Sequence, residues 1–250
     1  MSSFLLIPGW GQGARSLAEL SQVLSKVLPV ESVSLSELYD LGKGQISKVS
    51  AYAHGLESYL RQRENVILVG WSTGGIASLE YASSLGSQSS SATGLVLIAT
   101  TPTFTKDESW PYGTEKAEAR ALGIKLKRDP KRTLIDFANR IYLPAKPPAR
   151  LLEKIRTQEE FGMESLLYGI DYLRDIDLRD ACSQVSLKTL LVHGTLDKVM
   201  PTIASDLMGS LISHAKVQKI EGAGHCVAQT HVDEVAQVIL REVGSWKSHA

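Results

Sequence analysis

A serine between two glycines is the first pattern in this sequence whose residue types could do chemistry. Gly70, Ser72 and Gly74 alternate in the stretch NVILVGWSTGG (65–75), which leads from β-branched and apolar residues into a helical pattern. Strand and helix backbones nearly touch in such a turn, and glycine relieves the crowding around the serine. We therefore expect Ser72 to be exposed at the tip of the turn, at the positive end of the following helix. The pattern is typical of a serine nucleophile; a Gly-Ser-Gly turn without chemistry is the alternative.

Two later residues could serve this serine as base and as orienting acid. Asp197 follows the apolar run LLVHG, and His225 follows VQKI and a Gly-Ala-Gly loop. Both lie beyond the carboxyl end of a strand, where parallel sheets place their ligands, and their order after Ser72 fits this type of turn. Either residue alone would be interpreted as a turn or structural residue. Together they predict a catalytic triad of Ser72, His225 and Asp197.

Two neighbouring residues are rivals for these roles. His193 could be the base, but it lies within the end of a strand rather than on the loop beyond it, and we interpret it as structural. Cys226 could be a nucleophile, but it lacks the tight strand-to-helix turn, and we interpret it as a packing residue.

Acyl transfer also requires N–H donors for the oxyanion that forms on the substrate carbonyl. One donor is expected to be the backbone N–H of Thr73, the residue after the nucleophile. The second is expected to come from Trp10, in the glycine-rich loop IPGWGQG (7–13) that follows the first apolar run. A buried core aromatic is the alternative interpretation of Trp10.

The expected positions of these candidate residues depend on an alternation of predicted strands and helices along the chain. Predicted strands cover residues 4–8, 30–35, 65–71, 94–100, 188–194 and 215–220, and predicted helices cover 14–28, 45–63, 74–85, 202–213 and about 230–244. Such alternation predicts the α/β class, with a mostly parallel central sheet and helices on both faces.

Residues 103–180 interrupt the alternation with helical stretches and no convincing strand. We predict that they form a helical lid, inserted in a core that consists of residues 1–102 and 181–250. The charge of this segment is uneven, because residues 120–156 contain eleven Lys or Arg against three Asp or Glu, a net charge of +8. Residues 159–180 contain seven acidic and two basic residues, a net charge of −5.

Composition argues against several other classes of protein. The chain has 250 residues, 43% of them hydrophobic, and no net charge, which is typical of a globular domain without a general attraction to nucleic acid or membranes. Cys182 and Cys226 are the two cysteines, and they lack the number and spacing of a disulfide framework or a zinc site. No stretch has the pattern of a signal peptide or the length of a transmembrane helix, so we expect a cytoplasmic protein.

With these residues placed, the sequence resembles the α/β-hydrolase superfamily over essentially its whole length. Within it, the sequence is similar to the family of pimeloyl-(acyl-carrier protein) methyl ester esterases of biotin synthesis. The similarity lies in the Gly-Trp-Gly loop at 9–11, in the turn at 70–75, and in two segments that flank the lid, TPTFTKDESWP (101–111) and LRDIDLRD (173–180). Pro8 departs from the pattern, because that loop usually begins with a histidine.

The resemblance implies further roles for residues of the lid. It implies that Phe137 and Ile141, together with Trp10, bind the acyl chain of the substrate. It also implies that basic lid residues dock an acidic acyl-carrier protein; the residues named for this role are Arg128, Arg132, Arg140 and Arg150.

We interpret the chain as a serine carboxylesterase that cleaves a methyl ester of an acyl chain, which the resemblance implies to be pimeloyl-(acyl-carrier protein) methyl ester. The triad and the oxyanion donors supply the groups that the reaction needs, so no cofactor or metal is expected. A general short-chain esterase or lactonase without a carrier-protein partner is one alternative. A non-catalytic ligand-binding module on the same fold is a second, and a cofactor-free haloperoxidase or carbon–carbon hydrolase is a third.

Overall fold

The structure is a computed structural model that describes residues 2–45, 47–84, 91–157 and 162–246. Its strands are β1 (Ser3–Ile7), β2 (Val30–Ser32), β3 (Val66–Trp71), β4 (Ala92–Ile98), β5 (Thr189–Gly194) and β6 (Ala215–Ile220). They form one parallel sheet in the order β2-β1-β3-β4-β5-β6. Every residue of β3 and β5 is buried, which explains why these strands are continuous apolar runs. The predicted α/β class with a mostly parallel sheet is confirmed.

Helices connect the strands and cover the sheet. They are α1 (Ala18–Leu24), α2 (Leu35–Gly42), α3 (Ala51–Leu60), α4 (Thr73–Ser84), α5 (Lys116–Arg128), α6 (Pro130–Ile141), α7 (Ala149–Thr157), α8 (Met163–Asp175), α9 (Ile203–Leu211), α10 (Val227–Thr230) and α11 (Val232–Trp246). Short 3₁₀ helices occupy Ala14–Leu17 and Asp180–Gln184. Among these helices, none is long and apolar enough to cross a membrane.

The predicted helix over 45–63 is wrong at its beginning, because α3 begins only at residue 51, and α2, over 35–42, was not predicted. Ser34 begins α2 with a capping box, and Ser50 begins α3 by accepting a hydrogen bond from the N–H of Ala53 at 3.2 Å. The two helices pack almost backbone to backbone, since a Cβ on Gly55 would lie 2.0 Å from the carbonyl oxygen of Leu38. The cap at Ser34 also ends the predicted strand over 30–35 early, at residue 32.

The segment between β4 and β5, here called the insertion (residues 103–180), contributes α5 to α8. Its two ends lie side by side: the N–H of Leu178 donates to the carbonyl oxygen of Pro102 at 2.8 Å, and Thr103 forms an antiparallel bridge with Asp177. The guanidinium of Arg179 binds carboxylates from both ends of the segment. The insertion therefore leaves the sheet and returns to it at a single place.

Helix α8 joins the insertion to the rest of the molecule. Tyr172 on this helix donates its hydroxyl hydrogen bond to the buried carboxylate of Glu80 on α4, at 3.0 Å. The hydroxyl of Tyr168 accepts a hydrogen bond from the N–H of Ala51, at 2.8 Å. Gly169 is needed for the close approach, because a Cβ there would lie 2.5 Å from the Trp10 ring. α8 is thus the inner layer of the insertion.

Candidate active site

Ser72 alone makes the turn from β3 to α4. Its φ is 55°, a left-handed conformation that costs energy for a residue with a side chain. The neighbouring backbones leave no room for larger residues: a Cβ on Gly70 would lie 2.5 Å from the Cα of Gly75, and a Cβ on Gly74 would lie 2.3 Å from the carbonyl oxygen of Ile7. The crowding that the two glycines were expected to relieve is present.

The structure brings the three predicted triad residues together. His225 Nε2 lies 2.9 Å from Ser72 Oγ, and His225 Nδ1 lies 2.8 Å from Asp197 Oδ2. The three residues follow β3, β5 and β6, so they meet at the carboxyl edge of the sheet. A chain of hydroxyl, imidazole and carboxylate at these distances can move the Oγ proton to Nε2 while the carboxylate holds the proton on Nδ1.

Ser72 is enclosed, so the prediction of an exposed side chain is wrong. Ser72 is 7% exposed and His225 is 2% exposed. A Cβ on Gly9 would lie 3.0 Å from the Cβ of Ser72, and a Cβ on Gly224 would lie 1.8 Å from the carbonyl oxygen of Leu143. The loop after β1 and the segment after α6 therefore pack against the turn and against the histidine loop. Both come from parts of the chain far from residue 72, which a local pattern does not reveal.

Asp197 is held by donors on both carboxylate oxygens. Oδ1 accepts the backbone N–H groups of Val199 and Met200 at 2.7 and 2.9 Å, and Oδ2 faces His225 and also Nε2 of His193, at 3.1 Å. Burial by itself would raise the pKa of Asp197, but the charge of His225 and the hydrogen bonds from His193 and His225 outweigh burial and hold the pKa well below its usual range. The carboxylate is therefore ionised when His225 acts.

Trp71 positions the loop that carries His225. Its indole Nε1 donates to the backbone carbonyl oxygen of His225 at 2.9 Å, and the two rings lie 5.9 Å apart. Sequence reasoning missed this contact. The signal was a tryptophan at the end of a strand that is buried at every residue, since the N–H of a buried indole needs an acceptor.

The two expected oxyanion donors lie on either side of Ser72. Thr73 is the first residue of α4, so its N–H has no acceptor within the helix. The Trp10 side chain is buried and its Nε1 donates to the carbonyl oxygen of Leu166 at 2.8 Å, as the core-aromatic interpretation expects. Its backbone N–H follows Gly9, which packs directly on Ser72. The role of both N–H groups stays a prediction.

Phe137 and Ile141 lie one turn apart on α6, where the insertion meets the loop after β1. The Phe137 ring packs edge-on against Trp10, with ring centres 4.8 Å apart. Ile141 is 1% exposed and belongs to the apolar core. The structure thus brings Phe137 and Trp10 together, and acyl binding by these residues stays a prediction.

The four arginines expected to dock a carrier protein are all exposed, on helices α5, α6 and α7. Arg132 pairs with Asp136 one turn along α6, at 3.0 Å. Arg150 lines a cavity of ≈ 410 Å³ between the insertion and the 3₁₀ helix at Ala14–Leu17. Arg15, Lys146 and Lys154 line the same cavity, and Glu19 is the carboxylate among its lining residues. Sequence reasoning missed Arg15, which lies far from the insertion in sequence.

The rival residues have other roles. His193 is fully buried, with its ring nitrogens bonded to Ser205, Asp197 and Met200, and its contact with the Asp197 carboxylate was not expected. Burial, with the nearby charge of Asp197, raises the pKa of the Cys226 thiol well above its usual value, which supports its interpretation as a packing residue. Among the described residues, no group of three or more His, Cys, Asp or Glu side chains is arranged to hold a metal ion.

Comparison with known proteins identifies a family and several relatives. The model of the family described as "Alpha/beta hydrolase family" matches residues 4–238. The pimeloyl-(acyl-carrier protein) methyl ester esterase of Xanthomonas axonopodis pv. citri (strain 306) is 30% identical over 183 residues, which cover 72% of this chain and 71% of that protein. The enzyme of the same name from Yersinia pseudotuberculosis serotype IB (strain PB1/+) is 27% identical over 241 residues, which cover 94% and 91% of the two chains.

Among solved structures, the fold is shared with a bromoperoxidase from Bacillus anthracis. The TM-score is 0.84 at 22% sequence identity, and the match covers 97% of this chain and 92% of that one. At this level of identity the likeness concerns the fold, so the choice between reactions depends on the site.

Proposed function

Because the chain belongs to the alpha/beta hydrolase family, we propose that it is a serine carboxylesterase with Ser72 as nucleophile, His225 as general base and Asp197 as orienting acid. The observation that carries this proposal is the continuous chain of hydrogen bonds from Ser72 Oγ through His225 to Asp197 Oδ2, at 2.9 and 2.8 Å. Such a chain serves acyl transfer, because Oγ can pass its proton to Nε2 while the carboxylate holds the proton on Nδ1.

The reaction begins when Ser72 Oγ attacks the ester carbonyl and His225 Nε2 takes its proton. Asp197 stabilises the imidazolium, and the N–H groups of Thr73 and Trp10 stabilise the negative charge on the carbonyl oxygen. His225 returns its proton to the leaving alkoxide, which departs as an alcohol and leaves an acyl group on Ser72. His225 then takes a proton from water as the water oxygen attacks the acyl group, and returns that proton to Ser72 Oγ as the acid is released.

The proposed substrate is the methyl ester of an acyl chain carried on acyl-carrier protein, with pimeloyl as the acyl group. The names of the Xanthomonas and Yersinia relatives support this choice. The aromatic contact of Trp10 with Phe137, next to Gly9 that packs on Ser72, supports an apolar site for the acyl chain, and the basic residues of the insertion suit an acidic partner. In this proposal the insertion is a lid over the active site.

The test is to supply the purified protein with pimeloyl methyl ester, free and linked to acyl-carrier protein, and to measure methanol. The proposal expects methanol from both, with a higher kcat/KM for the carrier-linked ester. Equal kcat/KM values would favour a short-chain esterase without a carrier partner. No methanol from either ester, and none from p-nitrophenyl acetate, would favour a binding module. A Ser72→Ala preparation, purified in parallel, controls for contaminating esterases.

A further inference from the structure

A second histidine, besides His225, contacts the carboxylate of Asp197. His193 is the penultimate residue of β5, four residues before Asp197, and is 0% exposed. Its Nε2 lies 3.1 Å from Asp197 Oδ2 and 2.8 Å from the carbonyl oxygen of Met200. Its Nδ1 is hydrogen-bonded to the hydroxyl of Ser205 on α9. All the polar atoms of this imidazole therefore have partners inside the protein.

The partners of His193 determine where its proton lies. Nε2 faces a carbonyl oxygen and an ionised carboxylate, and both of these only accept hydrogen bonds, so Nε2 carries a proton. When the ring is neutral, Nδ1 therefore carries no proton and accepts a hydrogen bond from the Ser205 hydroxyl. The arrangement fixes one tautomer, in which the N–H at Nε2 is shared between Met200 and Asp197.

This N–H competes for the oxygen that His225 uses. Asp197 Oδ2 accepts from His225 Nδ1 at 2.8 Å and from His193 Nε2 at 3.1 Å, while Oδ1 is occupied by two backbone N–H groups. A carboxylate has about four acceptor sites, and all four are used here. Every donor to Asp197 reduces the negative charge that the carboxylate offers to His225.

We propose that His193 is a positioning residue for the ester hydrolysis: it fixes the Asp197 carboxylate and sets how strongly that carboxylate stabilises protonated His225. The inference depends on the proposed function, since it assigns His193 a task through the Asp197–His225 pair. Among the described residues, the titratable side chains that face Asp197 are His193 on β5 and His225 with Cys226 on the loop after β6. Asp206, next to Ser205 on α9, is paired at the surface with Lys219.

The test compares His193→Phe with His193→Gln. Phenylalanine keeps a ring of similar size and removes the donor, whereas the glutamine amide can still donate to Asp197. Without the donor, Asp197 presents more negative charge to His225 and favours its protonated form. In His193→Phe the acidic limb of the kcat/KM profile should therefore move to higher pH by about 1 unit, because that limb reports the base of the free enzyme. His193→Gln should keep the midpoint near that of the wild type.

Ser205→Ala is the matched control for disturbance of the same buried pocket. It removes the partner of Nδ1 and leaves the N–H at Nε2 facing its two acceptors, so the midpoint should stay in place. A merely structural role for His193 predicts fewer active molecules, counted by burst titration with a p-nitrophenyl ester, and an unchanged midpoint in all three variants. An unchanged midpoint in His193→Phe, or an equal shift in Ser205→Ala, overturns the inference.

A measurement on the wild-type protein does not depend on whether the variants fold. Nitrogen-15 NMR of the histidine rings should show His193 protonated at Nε2 and accepting at Nδ1 across the pH range in which His225 titrates. A proton on Nδ1 of neutral His193 would overturn the inference. If Ser72→Ala and Asp197→Asn both keep full activity, the proposed function fails; if they lose activity and the His193 results are negative, only this inference fails.

Discussion

Ser72 combines a strained backbone with firm hydrogen bonds. Its φ of 55° costs on the order of 1 kcal/mol for a residue other than glycine. The strain is tolerated because the Ser72 N–H donates to the carbonyl oxygen of Ile98 at 2.9 Å and the Ser72 carbonyl accepts from Ile76 at 3.0 Å. The position of Oγ relative to His225 is therefore fixed before a substrate arrives.

Ser72→Ala should abolish esterase activity and leave the fold intact. The substitution removes Oγ and keeps both backbone hydrogen bonds of residue 72, so the thermal unfolding curve should change little. The expected loss of kcat is on the order of 10⁴-fold or more, as for other deletions of a triad nucleophile. Hydrolysis of p-nitrophenyl acetate measures it, and activity within about tenfold of the wild type would point to a different nucleophile.

Asp197→Asn should lower kcat by about 10⁴-fold, by analogy with the serine-protease triad. If the amide oxygen stays on Val199 and Met200, the NH₂ group faces His225 Nδ1 and His193 Nε2, where acceptors are needed. His225 then adopts the tautomer with its proton on Nε2, which cannot accept from Ser72. The variant is expected to fold, and single-turnover kinetics measure the loss.

Asp177→Asn is the matched control for this substitution. Asp177 is paired with Arg179 where the insertion returns to the sheet, away from the hydrogen bonds of the triad. It should keep wild-type kcat. If Asp177→Asn were damaging and Asp197→Asn silent, the assignment of the acid would be wrong.

Sequence reasoning identified the three residues that meet in the site, because each follows a strand and their order is set by the type of turn. It could not predict that Ser72 is buried, because Gly9 and Leu143 enclose the site from distant segments. It also interpreted His193 as structural without its contact to Asp197. A spacing of four residues between them is common, and only the turn after β5 brings the imidazole back onto the carboxylate.

At the scale of an element, the turn from β3 to α4 depends on glycine for space. Gly74→Ala should destabilise the protein by about 2 kcal/mol or more and lower activity, because the new Cβ would lie 2.3 Å from the carbonyl oxygen of Ile7 on the adjacent strand. Urea unfolding and kcat for a short ester measure the two effects.

Gly244→Ala is the control: nothing lies within 4 Å of its Cβ position in α11, so stability should rise by about 0.5–1 kcal/mol with unchanged activity. Equal unfolding midpoints in the two variants would contradict the steric argument.

Strands and the longer core helices were predictable, since their apolar periodicity is continuous and buried. Helix α2 and the beginning of α3 were not, because both depend on a contact between the two helices. A Cβ on Gly42 would lie 1.9 Å from the carbonyl oxygen of Ala51 on α3, and a Cβ on Gly55 would lie 2.0 Å from the carbonyl oxygen of Leu38 on α2. In the sequence, a glycine within a helical pattern indicates only low helix propensity. Its contact with a neighbouring helix can be recognised only from the structure.

At the scale of the whole molecule, the net charge of zero conceals an uneven distribution. Basic side chains from α5, α6 and α7 are exposed on the insertion, and Arg15, from near the other end of the chain, joins those that line the cavity at Arg150. An acidic carrier would be attracted to this surface, and the attraction is screened by salt beyond a Debye length of about 8 Å at physiological ionic strength. A small neutral ester has no such dependence.

Reversal of Arg128, Arg132, Arg140 and Arg150 to Glu should lower kcat/KM for the carrier-linked methyl ester by about tenfold or more, since electrostatic steering changes association rates by 10- to 1,000-fold. Hydrolysis of p-nitrophenyl acetate should change little. Added salt should produce the same loss for the carrier-linked ester with the wild-type enzyme. Parallel kinetics on both esters at low and high salt measure these effects.

A matched pair of double variants separates local charge from total charge. The double variant Arg140→Glu with Arg150→Glu should lower kcat/KM for the carrier-linked ester. The double variant Lys26→Glu with Arg61→Glu should leave this kcat/KM unchanged. These two exposed residues precede β2 and β3 and therefore lie at the amino edge of the sheet, opposite the carboxyl edge that carries Ser72. Equal losses on both esters, or equal losses in the two double variants, would remove the support for a carrier partner and leave the esterase assignment intact.

The junction at which Leu178 donates to Pro102 has a consequence for how this fold can diversify. Because the two ends of the insertion meet at a 2.8 Å hydrogen bond, the whole segment can be exchanged for another of different length without altering the distance between β4 and β5. The replacement must satisfy one constraint at its inner helix, which has to place a small residue over Trp10 and a donor beside the buried carboxylate of Glu80, as Gly169 and Tyr172 do here. Within that constraint, a single recombination event could give a descendant a new insertion while it inherits Ser72, Asp197 and His225 at the carboxyl edge of the sheet unchanged.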